Sequence, residues 1–199
     1  MVRSLKFHAA ALSLAALLSG CAMLPGGGPA PLDTFELSAA NVASANRTRR
    51  QILIAEPSAL KAFDGQNIVI KPADGSIQYL KGAQWADRLP LLVQARLAET
   101  FQRSGRFVGV GKPGEGLAID YQVIAEIRSF EVRVTGGERA VVELYVRLLN
   151  DRTGEVRAAQ VFEASAPVSG TGNRAYVKAL DAAFGSAATQ IVSWAAGTI

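Results

Sequence analysis

One thiol, at Cys21, is the only cysteine in the chain, and it follows Leu18-Ser19-Gly20. A thiolate can attack carbon, bind metal or form a disulfide. The last choice has no partner within this chain. The only histidine is His8, so Ser-His-Asp and Cys-His catalysis have little to draw on. Zinc sites usually draw on His and Cys. Three carboxylates, Glu126, Glu143 and Glu163, lie on strand-like segments and could approach one another as a general acid–base group. They alternate with apolar residues, however, and read as the solvated side of a sheet. Gly111-Lys112 is reminiscent of a phosphate loop, but Pro113 stands where a serine or threonine is required and no helix follows. No nucleotide site is expected. The chemistry of this chain therefore centres on Cys21.

The surroundings of that cysteine say what its chemistry is. Arg3 and Lys6 open the chain, and a ten-residue run of alanine, leucine and one serine follows from Ala9 to Leu18. A basic start, a short apolar stretch and a small-residue end describe a secretory signal peptide, expected over residues 1–20. The run is too short to span a bilayer, which takes about 20 apolar residues as a helix. Leu18-Ser19-Gly20-Cys21 resembles the bacterial lipobox. That resemblance implies diacylglycerol on the Cys21 sulfur, cleavage between Gly20 and Cys21, and a further acyl chain such as palmitate on the new amino group. One chain alone binds a membrane marginally, whereas two or three make a lasting anchor. Ala22 matches the residue type that goes on to the outer membrane, with the periplasmic face of the inner membrane as the alternative.

Residues 21–33 then read as a tether, because Pro25, Gly26, Gly27, Gly28 and Pro29 can build neither a helix nor a central strand. The formal charge of +4 drops to +2 once Arg3 and Lys6 are removed with the signal. So mild a balance, without a basic cluster, gives no support for nucleic-acid binding. Arg47, Arg49 and Arg50 read as a solvated edge.

Residues 34–199 read as one folded domain. Strands are expected at Thr34–Ala39, Gln51–Ala55, Asn67–Lys71 and Ile77–Leu80, with an Asp74-Gly75 turn between the last two. Trp85, Leu89, Val93, Leu97 and Phe101 recur at helical spacing. That predicts a helix with Asp87 as its N-cap, Pro90 in its first turn and Gly105 as its stop. Three long alternating segments follow, from Ile119, from Arg139 and from Val156, joined by short turns. Short connections favour antiparallel pairing. A last helix carries Tyr176, Leu180, Phe184, Ala187, Ile191 and Trp194 on one face, capped by Thr171 or Asn173. The expected fold is α+β: a single domain with a mainly antiparallel sheet and two amphipathic helices packed on one face.

Tyr79, Trp85, Ala86, Asp87 and Pro90, together with AIDYQVIAEIRSFEV and VELYVRLLNDRTGEV, carry a family likeness. From about Leu32 to Ala196 the chain resembles the ABC-type transport auxiliary lipoproteins, the group that includes the paraquat-inducible C-type lipoprotein. The resemblance implies a non-enzymatic, periplasm-facing component encoded with an ABC permease, an ATPase and an MCE-domain protein. Such systems are implicated in moving phospholipid or other apolar solutes between inner and outer membranes. The implied role is docking or receiving at the outer membrane. A carrier that holds an acyl chain between helices and sheet is the alternative. No cofactor and no metal are expected beyond the lipid on Cys21. Tyr79 and Trp85 are candidate partner contacts, because aromatics are enriched at interface hot spots. For Trp85 the competing reading is the first core contact of its helix.

Overall fold

A computed structural model describes residues 31–43 and 47–199. Gly20 and Cys21, and with them the cleavage site and the lipid attachment, lie outside the described residues. The strands are β1 (Asp33–Phe35), β2 (Gln51–Ile54), β3 (Ser58–Ala59), β4 (Asn67–Lys71), β5 (Gln78–Trp85), β6 (Gly109–Gly111), β7 (Tyr121–Arg133), β8 (Arg139–Asn150) and β9 (Val156–Pro167). The helices are α1 (Leu89–Arg103) and α2 (Asn173–Thr198). This is the α+β domain the alternation and helical spacing imply.

The meander β7–β8–β9 follows directly from its sequence. Val142, Leu144, Val146 and Leu148 of β8 are fully buried, while Glu143, Tyr145 and Arg147 alternate with them. Period-two alternation of this kind allows one register only, since a slip of one residue would turn every valine and leucine outward. The antiparallel ladders β7–β8 and β8–β9 hold most of the paired residues. The short N-terminal strands join differently. β2, β3 and β4 all run parallel to β7, at Tyr121–Val123, Glu126–Ile127 and Glu131–Arg133. Because β8 occupies one edge of β7 throughout, these three share the other edge in succession, as one strand broken by excursions. β5 then pairs antiparallel with β4, and β1 pairs parallel with β5.

Two irregularities re-aim side chains. The β7–β8 register shifts between Ile127 and Ser129, leaving Arg128 as the extra residue of a bulge. Val123, Ala125 and Ile127 face the core before it; Phe130 and Val132 face the core after it. In β5, Gly82 takes φ of +71° where a Cβ would be strained. The chain there absorbs extra residues, and Ala83 and Trp85 return to the core.

Both helices pack on one face of this sheet, α1 over β2 and β6, and α2 over β8 and β9. Alanines 179, 183, 187, 188 and 195 let α2 lie close against the strands. Over them runs a strap, residues 36–43, that ties the helices together. Glu36 pairs with Arg96 at 2.8 Å, the Ser38 N–H donates to Asp181 Oδ1 at 2.6 Å, and the Ala40 N–H donates to Thr100 Oγ1 at 3.1 Å. The expected strand at Thr34–Ala39 is therefore cut short at Phe35, because Glu36 to Ala40 leave the sheet for the helices.

Three local expectations are corrected. Trp85 ends β5 rather than opening α1. The N-cap of α1 is Arg88, without a side-chain cap; Asp87 instead accepts its neighbour's N–H, from Arg88, at 2.7 Å. At α2 neither Thr171 nor Asn173 caps: Gly172 holds that position, and Asn173 Nδ2 donates to the Lys81 carbonyl at 3.1 Å. Pro90 does sit in the first turn of α1, where its missing N–H costs no helical bond. Gly105 ends the helix at φ +63°, and a Cβ there would meet nothing within 4 Å. Gly105→Ala should therefore cost about 1 kcal/mol through backbone conformation alone. Urea unfolding would show it as a lower midpoint at unchanged slope.

Candidate interaction face

The two sequence candidates part company. Trp85 is 1 % exposed, its ring set edge-on to Phe130 with centroids 5.8 Å apart. Its side chain has no surface to offer a partner, and the core reading accounts for it. Tyr79 is 47 % exposed. Register places Tyr79 in one cross-strand row with Val69, Glu131, Val141 and Ser165.

That row crosses a cavity of about 540 Å³ on the sheet near the β4–β5 turn and the β7–β8 hairpin. Lys71, Arg133, Thr135, Arg139, Glu163 and Ser165 line it. Beneath them Glu131 is 2 % exposed, a carboxylate buried in the sheet. Two cations answer it: Arg133 Nε donates to Glu131 Oε1 at 2.8 Å, and Lys71 Nζ lies 3.6 Å from the same oxygen. A buried charge without such partners would be strongly destabilising. Arg139 reaches only a hydroxyl, Ser165 Oγ, at 2.9 Å. Glu163 lines the cavity without a cationic partner, whereas two further acids nearby are engaged. The Ser76 hydroxyl and N–H hold the Asp74 carboxyl below the usual carboxylate range. Glu138 accepts from Tyr176 Oη at 2.7 Å, which raises the Tyr176 hydroxyl above the ordinary tyrosine value.

The carboxylates singled out for acid–base work do meet in part. Glu143 and Glu163 are paired directly across β8 and β9. Glu126 lies opposite Tyr145 and 3.3 Å from Arg128 Nε, and the Arg128 guanidinium stands 4.4 Å over the Tyr145 ring. Their neighbours are Ser129, Tyr145 and Val161, with neither a histidine nor a thiol among them. Among the described residues no group of three or more His, Cys, Asp or Glu is placed to hold a metal.

The basic cavity was not legible as a motif. Lys71, Arg133 and Arg139 come from three strands, and Glu131 sits past the Arg128 bulge, where simple alternation misplaces it. The one available signal was a glutamate inside the apolar run Phe130 to Val132, since buried carboxylates need partners.

Comparison with known proteins supplies the family. The family model described as ABC-type transport auxiliary lipoprotein component matches residues 34–192. An uncharacterized protein of Bradyrhizobium diazoefficiens, bll6063, is 30% identical over 181 residues, covering 89% of this chain and 49% of that protein. The chain thus spans about half the length of this curated relative. Among solved structures, XCC0632 from Xanthomonas campestris, described as DUF330, superposes with a TM-score of 0.75 at 25% identity, over 83% of this chain and 95% of that one. CT253 from Chlamydia trachomatis shares the fold at a TM-score of 0.51 and 14% identity, over 75% and 97% of the two chains. No described helix is long and apolar enough to cross a membrane. With a match running from the first strand into the last helix, the chain belongs to the ABC-type transport auxiliary lipoprotein component family.

Proposed function

We infer that this protein is the accessory lipoprotein of an MCE-type ABC transport system that moves phospholipid or other apolar solutes between the inner and outer membranes. It acts by contact. Residues 1–20 are the signal, residues 21–33 the lipidated tether, and residues 34–199 the working domain. Diacylglycerol and an N-acyl chain on Cys21 hold it in the outer membrane, facing the periplasm. There it docks the MCE-domain protein and the permease–ATPase complex, or receives their cargo. The observation that carries this reading is the family match over residues 34–192. Tyr79 is the exposed aromatic proposed to meet the partner.

The carrier reading requires an apolar groove between helices and sheet, of roughly 300–1,000 Å³. That space is occupied. Phe130 touches Trp85 on one side and Phe184 of α2 on the other, with centroids 5.8 and 6.2 Å apart, and all three rings are buried. The contact reading is therefore favoured.

Affinity purification of the tagged lipoprotein from membranes, with mass spectrometry of proteins and lipids, tests both. An MCE-domain protein and an ABC permease should be recovered. Bound lipid without either would favour the carrier, and recovery of neither protein would sink the docking role. Tyr79→Ala should reduce that recovery by about tenfold or more, the scale of an interface hot spot, without changing the yield of folded protein.

A further inference from the structure

The basic cavity has a position in the fold that bears on the membrane. β1 runs parallel to β5. Leu32 therefore leads into β1 from the end of the sheet at which β5 starts. The same end carries the end of β4 at Lys71, the end of β7 at Arg133 and the start of β8 at Arg139. Ile77 and Val134 are exposed there, and the Val134 N–H donates to the Lys71 carbonyl at 3.3 Å; Leu32 is exposed a few rungs away, where register sets Asp33 opposite Ala83. An exposed apolar rim beside cations that outnumber the free acids suits an interface of headgroups and acyl chains.

We propose that this end of the domain docks on the anionic surface of the bilayer in which Cys21 is anchored, with the cavity of Lys71, Arg133 and Arg139 receiving a phospholipid phosphate. The inference rests on lipidation at Cys21. Covalent reach supports it. The eleven residues from Cys21 to Pro31 span at most about 40 Å fully extended. β7, with 13 residues, is about 43 Å long. Only a nearly extended tether would bring the opposite end of the sheet, with Val108 and Val156, to the bilayer. At that end Arg50 lies 3.7 Å from Asp120 and its guanidinium 5.9 Å from the Tyr121 ring centre, while Arg152 beside it meets no carboxylate among the described residues, so covalent reach rather than charge separates the two ends. Arg139 meets no carboxylate among the described residues, so it is available to a phosphate, which an arginine can grip through two parallel bonds.

The test uses the full lipidated chain. Because Cys21 is the only cysteine and its sulfur is consumed by lipid, an introduced thiol can be labelled uniquely. A fluorophore is placed at Val134→Cys or, at the opposite end, at Thr153→Cys. Each protein is reconstituted into vesicles of phosphatidylglycerol with phosphatidylethanolamine, or of phosphatidylcholine alone, both containing a headgroup quencher. The label at 134 should be quenched several times more than the label at 153 in anionic vesicles, and less so in phosphatidylcholine. Each cation at an anionic surface is worth about fivefold in binding, so Lys71→Gln with Arg139→Gln should reduce the docked population about tenfold or more. Equal quenching at both positions, with Cys21 shown to be lipidated by mass spectrometry, would overturn the docking alone. An unmodified Cys21 thiol would remove the anchor reading and the docking with it. Displacement of the label by free inorganic phosphate, with no dependence on vesicle composition, would assign the cavity to a soluble anion and overturn the bilayer as its occupant.

Discussion

Cys21→Ser should abolish palmitate incorporation completely and leave residues 1–20 on the chain. The serine hydroxyl is a far weaker nucleophile than the thiolate, so the diacylglycerol transfer that precedes cleavage has no acceptor. The energetic consequence is large. Each buried methylene is worth about 0.8 kcal/mol, so two or three acyl chains hold a protein essentially without exchange, while one gives only marginal binding. The fold should not notice. Among the described residues the buried core begins at Leu37, well past the substitution, so the far-ultraviolet spectrum and the unfolding midpoint should match those of the parent domain. The measurement is metabolic labelling with palmitate beside an intact mass. Undiminished label, or a mature protein starting at residue 21, would show that the anchor is made elsewhere.

The sequence was most readable where one face of a long strand is buried. β4 coincides with the expected Asn67–Lys71, and the core positions of β8 are the alternating residues. It was least readable at junctions. Trp85 lies four residues before Leu89, a spacing that imitates a helical stripe across the boundary between β5 and α1. The parallel pairing of β2, β3 and β4 along β7 leaves no local trace, because it is fixed by contacts far apart in sequence rather than by turns. Tyr79 and Trp85 look alike as aromatic candidates six residues apart, yet Gly82 and its extra residues turn Trp85 into the core and leave Tyr79 outside. The basic cavity needed three strands in register before Lys71, Arg133 and Arg139 became neighbours. The anchor stands as an expectation carried by four consecutive residues, Leu18 to Cys21, which need no folding to be brought together.

Phe130→Ala is the substitution within the domain expected to cost most. Phe130 joins three elements: Trp85 closes β5 on one side, and Phe184 projects from α2 on the other. Truncation to alanine removes a buried ring and leaves a cavity that the surrounding strands cannot collapse to fill, at about 3–5 kcal/mol. Domains of this kind have about 5–15 kcal/mol in total, so the variant should unfold at much lower urea and accumulate poorly. Tyr79→Ala, at an exposed position, should stay within about 0.5 kcal/mol of the parent. The contrast also bears on transport. If the space between helices and sheet were a lipid groove, shortening Phe130 would enlarge it, raise the lipid recovered with the protein and leave stability nearly intact. If instead the aromatic contacts are the core, stability falls and lipid recovery does not rise. Urea unfolding of both variants, alongside lipid extraction from each, separates a domain that works through its surface from one that works through its interior.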